Sequence, residues 1–382
     1  MGANHDLLAD RAGREIVSKI VNRDDNWGQI FSDNINKVGD FGWPRPDYVC
    51  YDQDLQQSIA FEFKPPNHSK REYLTGLGQT IAYLQKHHYS GLILPEKVEG
   101  YNIAQHVTDV LSLDVFAKHH ITVVGYNEQT LVSNPSSSIT LFKAIEDERT
   151  GEIINTDVKQ SYWCWWRDIS HYETFTLLDL LDKNRDKPGD IYTNNVWPIF
   201  WQLLINGRTR TWEGNPRNKA GTSENQEKQN YKISPRQLGL FETSEGRLTA
   251  EGYKLLSIGK IFGVESSMYF DYFTKMILID GKHLNLIQDM EQFKKEASPE
   301  SFTSTNQFTI DFEQFLDENN SIGPRKPGRT TTGMKISYIR DELKLWRKLG
   351  LINGTGSYVN NGKCFEFNWS RITEILTKDF LY

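Results

Sequence analysis

The chain is organised around residues 47–64, which read DYVCYDQDLQQSIAFEFK. Two short runs, 47–51 and 58–64, are rich in β-branched and aromatic residues and flank a polar segment, a pattern that predicts a β-hairpin. Side chains alternate along a strand, so the large apolar residues of the second run share one face. Glu62 and Lys64 share the opposite face, which predicts a half-buried strand with two charged groups side by side.

The register of this hairpin decides which charged groups meet. If Tyr51 pairs with Ser58, Asp47 lies directly across from Glu62, with the Cβ atoms about 5 Å apart. Two like charges in that position destabilise a hairpin, and a divalent cation between them would remove the repulsion. Lys64 would lie on the same side as Glu62. The alternative is an ordinary surface hairpin with a Glu–Lys pair, which the apolar face disfavours.

These residues resemble the signature of the PD-(D/E)xK nuclease superfamily, which includes many restriction endonucleases and the RecB-like exonucleases. Asp47 directly follows a proline, and Glu62 and Lys64 form the ExK element. Gln79 and Tyr83 lie four residues apart on the next predicted helix and resemble the QxxxY element of RecB-like members. The resemblance implies that Gln79 assists catalysis and that Tyr83 contacts the DNA backbone or water held by the metal. It covers the first third of the chain.

The resemblance also implies a Mg²⁺-dependent hydrolysis of a phosphodiester bond. Mg²⁺ prefers oxygen and is typically held by one or two carboxylates together with water and substrate phosphate. Asp47 and Glu62 would supply the carboxylates, and the backbone carbonyl of Phe63 would be a further ligand. The ion would acidify a water molecule and stabilise charge on the phosphoryl oxygens. Lys64 would orient that water or neutralise the developing charge.

The surrounding pattern predicts how the hairpin is supported. Helices are expected over residues 5–21, 70–88 and 101–118, a first strand within 27–42, and further strands over 91–94 and 121–126. The resemblance calls for this order of helix, three strands, helix and strand. The expected fold class is therefore α/β (α+β), a restriction-endonuclease-like core with a mixed central sheet. Glu15 lies on the first helix, where some nucleases of this superfamily use a glutamate, although an ordinary solvent-facing charge is the simpler interpretation.

The helix predicted after the hairpin carries both residues of the QxxxY pattern. Its apolar residues at helical spacing are expected on the core side, and they are Leu74, Leu77, Ile81 and Leu84. Gly76 and Gly78 weaken it as a helix. We interpret both glycines as allowing close approach to the sheet.

Composition excludes several classes of protein. The 382 residues are enough for two or three domains, and 38% hydrophobic and 25% charged residues are typical of a globular protein. No apolar run is long enough to span a membrane, and the first residues do not resemble a secretion signal. Three widely spaced cysteines argue against disulfides and structural zinc and favour a reducing cytoplasm. The chain has no P-loop sequence, so no use of ATP is implied.

The net charge of −6 by itself argues against nucleic-acid binding, but the distribution of charge along the chain does not. Residues 1–150 hold 14 Lys and Arg against 20 Asp and Glu, so they carry the whole deficit, and the rest of the chain is neutral. Two segments of that neutral part, 208–236 and 325–348, are locally basic, and local charge determines what a phosphate backbone encounters. The candidate DNA contacts there are Arg208, Arg210, Arg217, Lys219, Arg236, Lys335, Arg340, Lys344, Arg347 and Lys348.

Both basic segments lie beside patterns that resemble winged-helix modules. Residues 238–256 contain a charged turn followed by a helix that Thr249 would cap. Residues 336–367 contain a basic amphipathic helix and a hairpin with Asn360, Asn361 and Gly362 at its tip. The predicted organisation is a nuclease domain at 1–150, followed by mainly α-helical winged-helix-like domains at 151–295 and 296–382. Winged helices also serve as protein–protein modules, which remains an alternative for each.

The function that these features predict is a Mg²⁺-dependent, site-specific double-stranded DNA endonuclease resembling type II restriction enzymes. Cutting both strands favours a homodimer, and dependence on DNA methylation is left open. A RecB-like exonuclease or junction nuclease is one alternative, favoured by the QxxxY pattern. A DNA-binding regulator with winged helices and no catalysis is the other.

Overall fold

Two units make up the fold, and the hairpin at residues 47–64 belongs to the first. Unit 1 consists of Met1–Tyr162 and Phe315–Pro327, and unit 2 of Trp163–Gln314 and Gly328–Tyr382. The first boundary lies near the predicted end of the nuclease domain. The stretches 151–295 and 296–382, predicted as separate domains, both contribute to unit 2. The computed structural model describes residues 3–24, 27, 30–40, 44–67, 69–113, 116, 119–133, 138–145, 148–149, 161–167, 169–242, 245–322, 339–360 and 362–380.

Unit 1 is built on a six-stranded mixed sheet with helices on both faces. Its elements are α1 (Ala3–Val21), β1 (Ile35–Val38), β2 (Tyr48–Asp52), β3 (Gln57–Phe63), α2 (Lys70–Tyr83), β4 (Tyr89–Pro95), α3 (Ile103–Leu111), β5 (Ile121–Tyr126), α4 (Glu128–Ser133) and β6 (Ile139–Lys143). The strands lie side by side in chain order. β3, β4 and β5 are parallel, and the remaining neighbours are antiparallel. The predicted mixed α/β architecture is therefore confirmed.

The register of the β2–β3 hairpin is the one the sequence predicts. Tyr51 pairs with Ser58, and the last regular pair is Tyr48 with Phe61. Beyond that pair the backbone N–H of Asp47 donates to the carbonyl oxygen of Phe61 at 3.1 Å. The chain of β2 therefore begins beside the carboxyl end of β3, which is where the charged residues are.

The two faces of the sheet have different partners. α1 packs on one face, against the apolar side chains Ile59, Phe61 and Phe63 of β3. α2 and α3 pack on the other face. Because side chains alternate, Glu62 lies on the α2 side of the sheet. A residue of α2 can therefore contact Glu62, whereas α1 lies on the other face of the sheet.

The face that α2 turns toward the sheet differs from the prediction. Leu74 and Ile81, expected in the core, are 54% and 36% exposed. Leu77 and Leu84 are half-buried and pack against the core as expected. The fully buried residues are Tyr73, Gly76, Thr80 and Tyr83. Two tyrosine rings bury more surface than two leucines, and their hydroxyl groups find partners: that of Tyr73 lies 3.1 Å from the carbonyl oxygens of both Pro65 and Pro66.

The remaining part of the chain is mainly helical. Its elements are α5 (His171–Lys183), α6 (Trp197–Ile205), β7 (Thr209–Arg210), β8 (Pro216–Arg217), α7 (Glu224–Gln237), α8 (Ala250–Phe262), α9 (Ser267–Ile279), α10 (His283–Glu296), α11 (Thr305–Glu318), α12 (Ile339–Lys348), β9 (Val359–Asn360), β10 (Lys363–Cys364) and α13 (Trp369–Thr377). The polar stretch 206–230 contains the β7–β8 hairpin and the start of α7. Glu224 and Glu227 in the first turn of α7 favour a helix start there.

Two local predictions in this part are confirmed. The hydroxyl of Thr249 accepts a hydrogen bond from the N–H of Gly252 at 3.1 Å and so caps α8. Asn360 pairs with Lys363 across the tip of the predicted hairpin, and Gly362 has a φ of +78°, a conformation that glycine adopts without strain. Within the described ranges, no helix is both long and apolar enough to cross a membrane.

Candidate active site

Three of the predicted site residues converge at the carboxyl end of β3. Glu62 and Lys64 are 4% and 6% exposed. Asp47 Oδ2 accepts a hydrogen bond of 2.9 Å from the backbone N–H of Phe63, the residue between them. This bond ties the Asp47 carboxylate to the end of the strand that carries the other two groups. The sequence placed these side chains together correctly.

The amine of Lys64 is held between two oxygen acceptors. Its Nζ donates to Glu62 Oε1 at 2.9 Å and to Gln79 Oε1, on α2, at 2.8 Å. Its backbone is also fixed, since its N–H donates to the Ile93 carbonyl at 2.9 Å and its own carbonyl accepts from the hydroxyl of Tyr126 at 3.0 Å. Lys64 is therefore anchored at both ends of its side chain.

Tyr83 takes a different position from the one the resemblance implies. The residue is buried, and its hydroxyl donates to Glu62 Oε2 and lies 3.1 Å from the carbonyl oxygen of Arg45. A buried hydroxyl engaged in this way cannot reach a DNA backbone. Tyr83 instead orients the Glu62 carboxyl group, as Gln79 orients Lys64.

Burial strongly affects the electrostatics of Glu62 and of the tyrosine bonded to it. Burial and the nearby charge of Asp47 raise the pKa of Glu62 to about 7, although Lys64 and the Tyr83 hydroxyl act in the opposite direction. Burial and the neighbouring Glu62 likewise raise the pKa of the Tyr83 hydroxyl well above its usual range. The Lys64 ammonium contacts the Glu62 carboxylate, whereas the Asp47 carboxylate accepts a hydrogen bond from the Phe63 N–H. A cation between the two carboxylates would favour their charged forms.

His5 is a site residue that the sequence did not indicate. Its Nε2 lies 3.1 Å from the carbonyl oxygen of Phe63 and 3.7 Å from Asp47 Oδ2. Burial lowers the pKa of His5, but the hydrogen bond to Asp6 and the charges of Asp47 and Asp6 outweigh it, so the pKa is raised overall. α1 thus reaches the site through His5.

Glu15, the residue of α1 that the resemblance singled out, is engaged elsewhere. Its carboxylate lies 4.0 Å from Lys19 Nζ, one helical turn further along α1. Burial raises the pKa of Glu15 despite this partner. Glu15 therefore pairs within α1, but its side chain is only 13% exposed, so it is not the solvent-facing charge of the simpler interpretation.

The donor atoms at the end of β3 are the ones that Mg²⁺ accepts. Asp47 and Glu62 offer carboxylate oxygens, and Phe63 offers its carbonyl oxygen, with His5 beside them. Among the residues that the structure describes, no group of three or more His, Cys, Asp or Glu side chains is arranged to hold a metal. The fit therefore depends on a two-carboxylate site, which magnesium tolerates because it keeps several water ligands and takes others from substrate phosphate.

A second polar constellation lies deeper in unit 1. Nδ1 of His87 is 3.1 Å from the hydroxyl of Ser58, and Nε2 is 3.1 Å from Asp40 Oδ2. The order resembles a serine–histidine–aspartate arrangement, but Ser58, the second residue of β3, is 0% exposed. No substrate can reach a hydroxyl in that position. The group instead ties the segment that leads to Asp47 to the end of α2.

The candidate DNA contacts before α7 occupy unequal positions. Arg217 is buried, with its Nε 3.0 Å from Glu173 Oε1, which is a structural position rather than an open one. Arg208 and Arg210 are exposed, and Arg210 pairs with Glu265 at 2.8 Å. Lys219 is half-buried and pairs with Glu227 at 3.2 Å, and Arg236 is half-buried. Only part of this basic segment is open to a partner.

The second basic segment forms an ordered row on α12. Arg340, Lys344 and Lys348 are exposed and four residues apart, so they lie along one face of the helix. The guanidinium of Arg347 lies 3.7 Å from the centre of the Tyr358 ring, which belongs to the segment leading into β9. Lys335 lies outside the described residues.

The opposite face of α12 carries a buried acid, Glu342. Its Oε1 accepts hydrogen bonds from Trp163 Nε1 at 3.3 Å and from the N–H of Trp166 at 3.2 Å. Its Oε2 lies 3.6 Å from His283 Nδ1, which already accepts a bond from Trp346 Nε1 at 3.0 Å. Burial raises the pKa of Glu342 to about 8 and lowers that of His283 to about 4. At neutral pH both groups are therefore uncharged.

This pair of pKa values predicts how stability depends on pH. Between pH 6.5 and 8 the unfolded Glu342 is ionised, whereas the folded one gives up its proton only as the pH approaches 8, so stability falls as pH rises. A difference of 1.5 pH units corresponds to about 2 kcal/mol. The Glu342→Gln protein should lack this loss. Urea unfolding of both proteins at pH 6.5 and 8 measures it, and parallel losses of stability would contradict the assignment.

In comparisons with known proteins, the sequence matches no family model and none of the curated proteins. The function is therefore argued from the geometry at the end of β3 and from the charge pattern of unit 2.

Proposed function

We propose that this protein is a Mg²⁺-dependent, site-specific double-stranded DNA endonuclease of the type II restriction kind. The observation that carries the proposal is the convergence of Asp47, Glu62 and Lys64 at the end of β3. A buried carboxylate, a half-buried carboxylate and one amine at the carboxyl end of β3 match what metal-assisted phosphodiester hydrolysis requires. The order of helix, three strands, helix and strand around them supports a PD-(D/E)xK nuclease fold.

The site has two groups of residues. One group would contact the ion or the substrate, and the other keeps the side chains of the first group in place. Asp47, Glu62 and the Phe63 carbonyl would hold Mg²⁺, with His5 beside them. The ion would supply charge neutralisation at the phosphoryl group and acidify a water molecule. Lys64 carries the fixed positive charge that stabilises the developing negative charge on the phosphate.

Gln79 and Tyr83, the two residues that keep Lys64 and Glu62 in place, both belong to α2. Gln79 gives Lys64 an acceptor that does not depend on Glu62, so the amine keeps its place when the carboxylate turns toward a cation. Tyr83 fixes the other oxygen of Glu62. We infer that α2 preorganises the site, which lowers the reorganisation needed at the moment of reaction.

Recognition of DNA is assigned to α12 and the adjoining hairpin of unit 2. The row Arg340, Lys344 and Lys348 faces away from the buried side of the helix, and the β9–β10 hairpin follows it in the chain. This order resembles a winged helix, a class in which a helix enters the major groove. The ring of Tyr358 restricts Arg347, and a restricted guanidinium loses less freedom on binding. A homodimer would present two such sites to the two strands.

Removing two charges from α12 should weaken binding in a salt-dependent way. The Arg340→Ala/Lys344→Ala protein should bind duplex DNA more weakly, and the slope of log K against log salt should decrease by about 2 because two phosphate contacts are lost. Lys295, exposed on α10, gives the control Lys295→Ala with a slope unchanged. Fluorescence anisotropy at several salt concentrations measures both, and equal slopes in all three proteins would remove α12 from the interface.

The test of the proposed activity uses closed circular and linear duplex DNA and genomic DNA with and without methylation. We expect discrete fragments from the circle in Mg²⁺ and intact DNA in EDTA. Fragments from only one of the genomic samples would establish dependence on methylation. DNA that stays intact in Mg²⁺, yet binds the protein in a salt-sensitive way, would contradict the proposal and favour a regulator without catalysis.

One observation favours a second candidate function, a RecB-like exonuclease or junction nuclease. Both members of the QxxxY pattern contact catalytic groups, Gln79 through Lys64 and Tyr83 through Glu62. Degradation of the linear duplex with the closed circle left intact would identify an exonuclease. Cutting confined to branched DNA would identify a junction nuclease.

A further inference from the structure

The side chain of Lys64 passes α2 at Gly76, a residue that has no side chain. An ideal Cβ built on Gly76 would lie 2.7 Å from Lys64 Cε, 3.1 Å from its Cγ and 3.0 Å from Leu92 Cδ1. Cβ contacts below 3.0 Å essentially do not occur. The backbone of α2 at Gly76 therefore forms one wall of the space in which the lysine chain lies.

The position of Gly76 on the helix links this space to the site. Gly76 lies three residues before Gln79 and seven before Tyr83, so the three share one face of α2. The amine of Lys64 is fixed to Gln79 at 2.8 Å, and the backbone of Lys64 is fixed in the sheet. A chain held at both ends has little freedom to bend around an obstacle. An atom added beside its Cε must displace the adjacent Nζ.

Gly78 provides the contrast within the same helix. A Cβ at Gly78 would meet no atom within 4 Å, and the residue is exposed. The helical pattern alone predicts close approach to the sheet at both glycines. The geometry supports that interpretation at Gly76 alone.

We propose that Gly76 is a positioning residue, which sets the place of the Lys64 amine by leaving room for its side chain. The consequence for catalysis rests on the proposed nuclease function, whereas the contact itself does not. Gly76 touches neither substrate nor ion and acts through Lys64. The geometry of the site would thus depend on the absence of a side chain at residue 76 as well as on the side chains that are present.

A thermal unfolding cycle tests the contact without any reference to activity. Four proteins are needed: wild type, Gly76→Ala, Lys64→Ala and the double variant. Gly76→Ala is expected to lower the melting temperature of the wild type by several degrees. In the Lys64→Ala background, where Cε and Cγ are gone, the same change should cost much less. If Gly76→Ala does not fold, the double variant should fold. Equal costs in both backgrounds, or failure of both variants to fold, would overturn the proposal.

Kinetics test the consequence for Lys64. Gly76→Ala should lower kcat for DNA cleavage by about 10²-fold with KM unchanged, since a displacement near 1 Å at a reacting centre has an effect of that size. Gly78→Ala should keep the wild-type kcat and melt no earlier, because alanine favours a helix. A Gly76→Ala protein with full kcat would overturn the proposal. If wild type itself cleaves no DNA, the nuclease function fails, and the unfolding cycle still decides whether Gly76 positions Lys64.

Discussion

Replacing Lys64 with alanine is expected to lower the rate of DNA cleavage by about 10²–10³-fold, the usual effect of removing one preorganised group that stabilises the transition state. The amine is the only positive side chain in contact with both Glu62 and Gln79 among the residues described, at 2.9 and 2.8 Å. Binding of DNA should remain within a few-fold of wild type, because the basic row of α12 is untouched. Single-turnover cleavage and fluorescence anisotropy measure the two quantities separately.

Lys70 supplies the matched control for this prediction. It begins α2, is exposed, and pairs only loosely with Glu99 at 3.5 Å. The Lys70→Ala protein loses the same charge from the same unit and should keep its cleavage rate. Unchanged cleavage by Lys64→Ala, or an equal loss in both variants, would remove Lys64 from the catalytic centre.

The Arg217→Ala protein is expected to lose about 3–5 kcal/mol of unfolding free energy, because it leaves a buried carboxylate without its partner. The carboxylate is Glu173, which is 0% exposed. Burial raises its pKa, and the charge of Arg217 opposes that rise. The hydroxyl of Tyr231, at 3.1 Å from Glu173 Oε1, and the N–H of Ser170, at 2.9 Å from Oε2, cannot replace a positive charge.

Arg210 lies in the same hairpin, so Arg210→Ala is the matched control for Arg217→Ala. Its pair with Glu265 is exposed on both sides, and such pairs contribute less than about 1 kcal/mol. Arg210→Ala should therefore unfold like wild type in urea and weaken DNA binding if this hairpin faces the duplex. A stable Arg217→Ala protein with reduced DNA affinity would reverse our assignment and restore Arg217 as a DNA contact.

The hairpin could be predicted in detail because two independent constraints act on it. Alternation fixes which side chains share a face, and the short polar turn fixes the register, since a slip of one residue would turn Phe61 and Phe63 toward α2. With Tyr51 paired with Ser58, as the structure shows, these constraints bring Asp47, Glu62 and Lys64 together, and their catalytic interpretation comes from the resemblance. The mixed sheet follows from the alternation of strands and helices after it.

Contacts between distant parts of the chain could not be predicted. His5 reaches the carbonyl of Phe63 across 58 residues of sequence, and nothing in the pattern of α1 distinguishes it from a surface histidine. The orientation of α2 was misjudged because leucine spacing was given more weight than the tyrosines. A tyrosine with a partner for its hydroxyl buries more surface, and a glycine lets the helix approach the lysine chain.

The basic residues show a different limit of prediction from the sequence. A charge count cannot separate an arginine that pairs inside the fold from one that faces solvent. Arg217 and Arg210 are equivalent in the sequence and opposite in the structure, because Glu173 is buried beside one of them. On α12 the spacing of Arg340, Lys344 and Lys348 did predict that they share one face, since residues four apart lie on the same side of a helix.

The central claim is that Asp47 and Glu62 hold a divalent cation, and anomalous diffraction from crystals soaked in Mn²⁺ tests it most directly. We predict one strong peak at the end of β3, at about 2.0–2.2 Å from an oxygen of each carboxylate. The peak should be absent from crystals of the Glu62→Gln protein. A cation found elsewhere in crystals of a protein that cleaves DNA, with Asp47 and Glu62 still bound only to Phe63, Lys64 and Tyr83, would contradict the account.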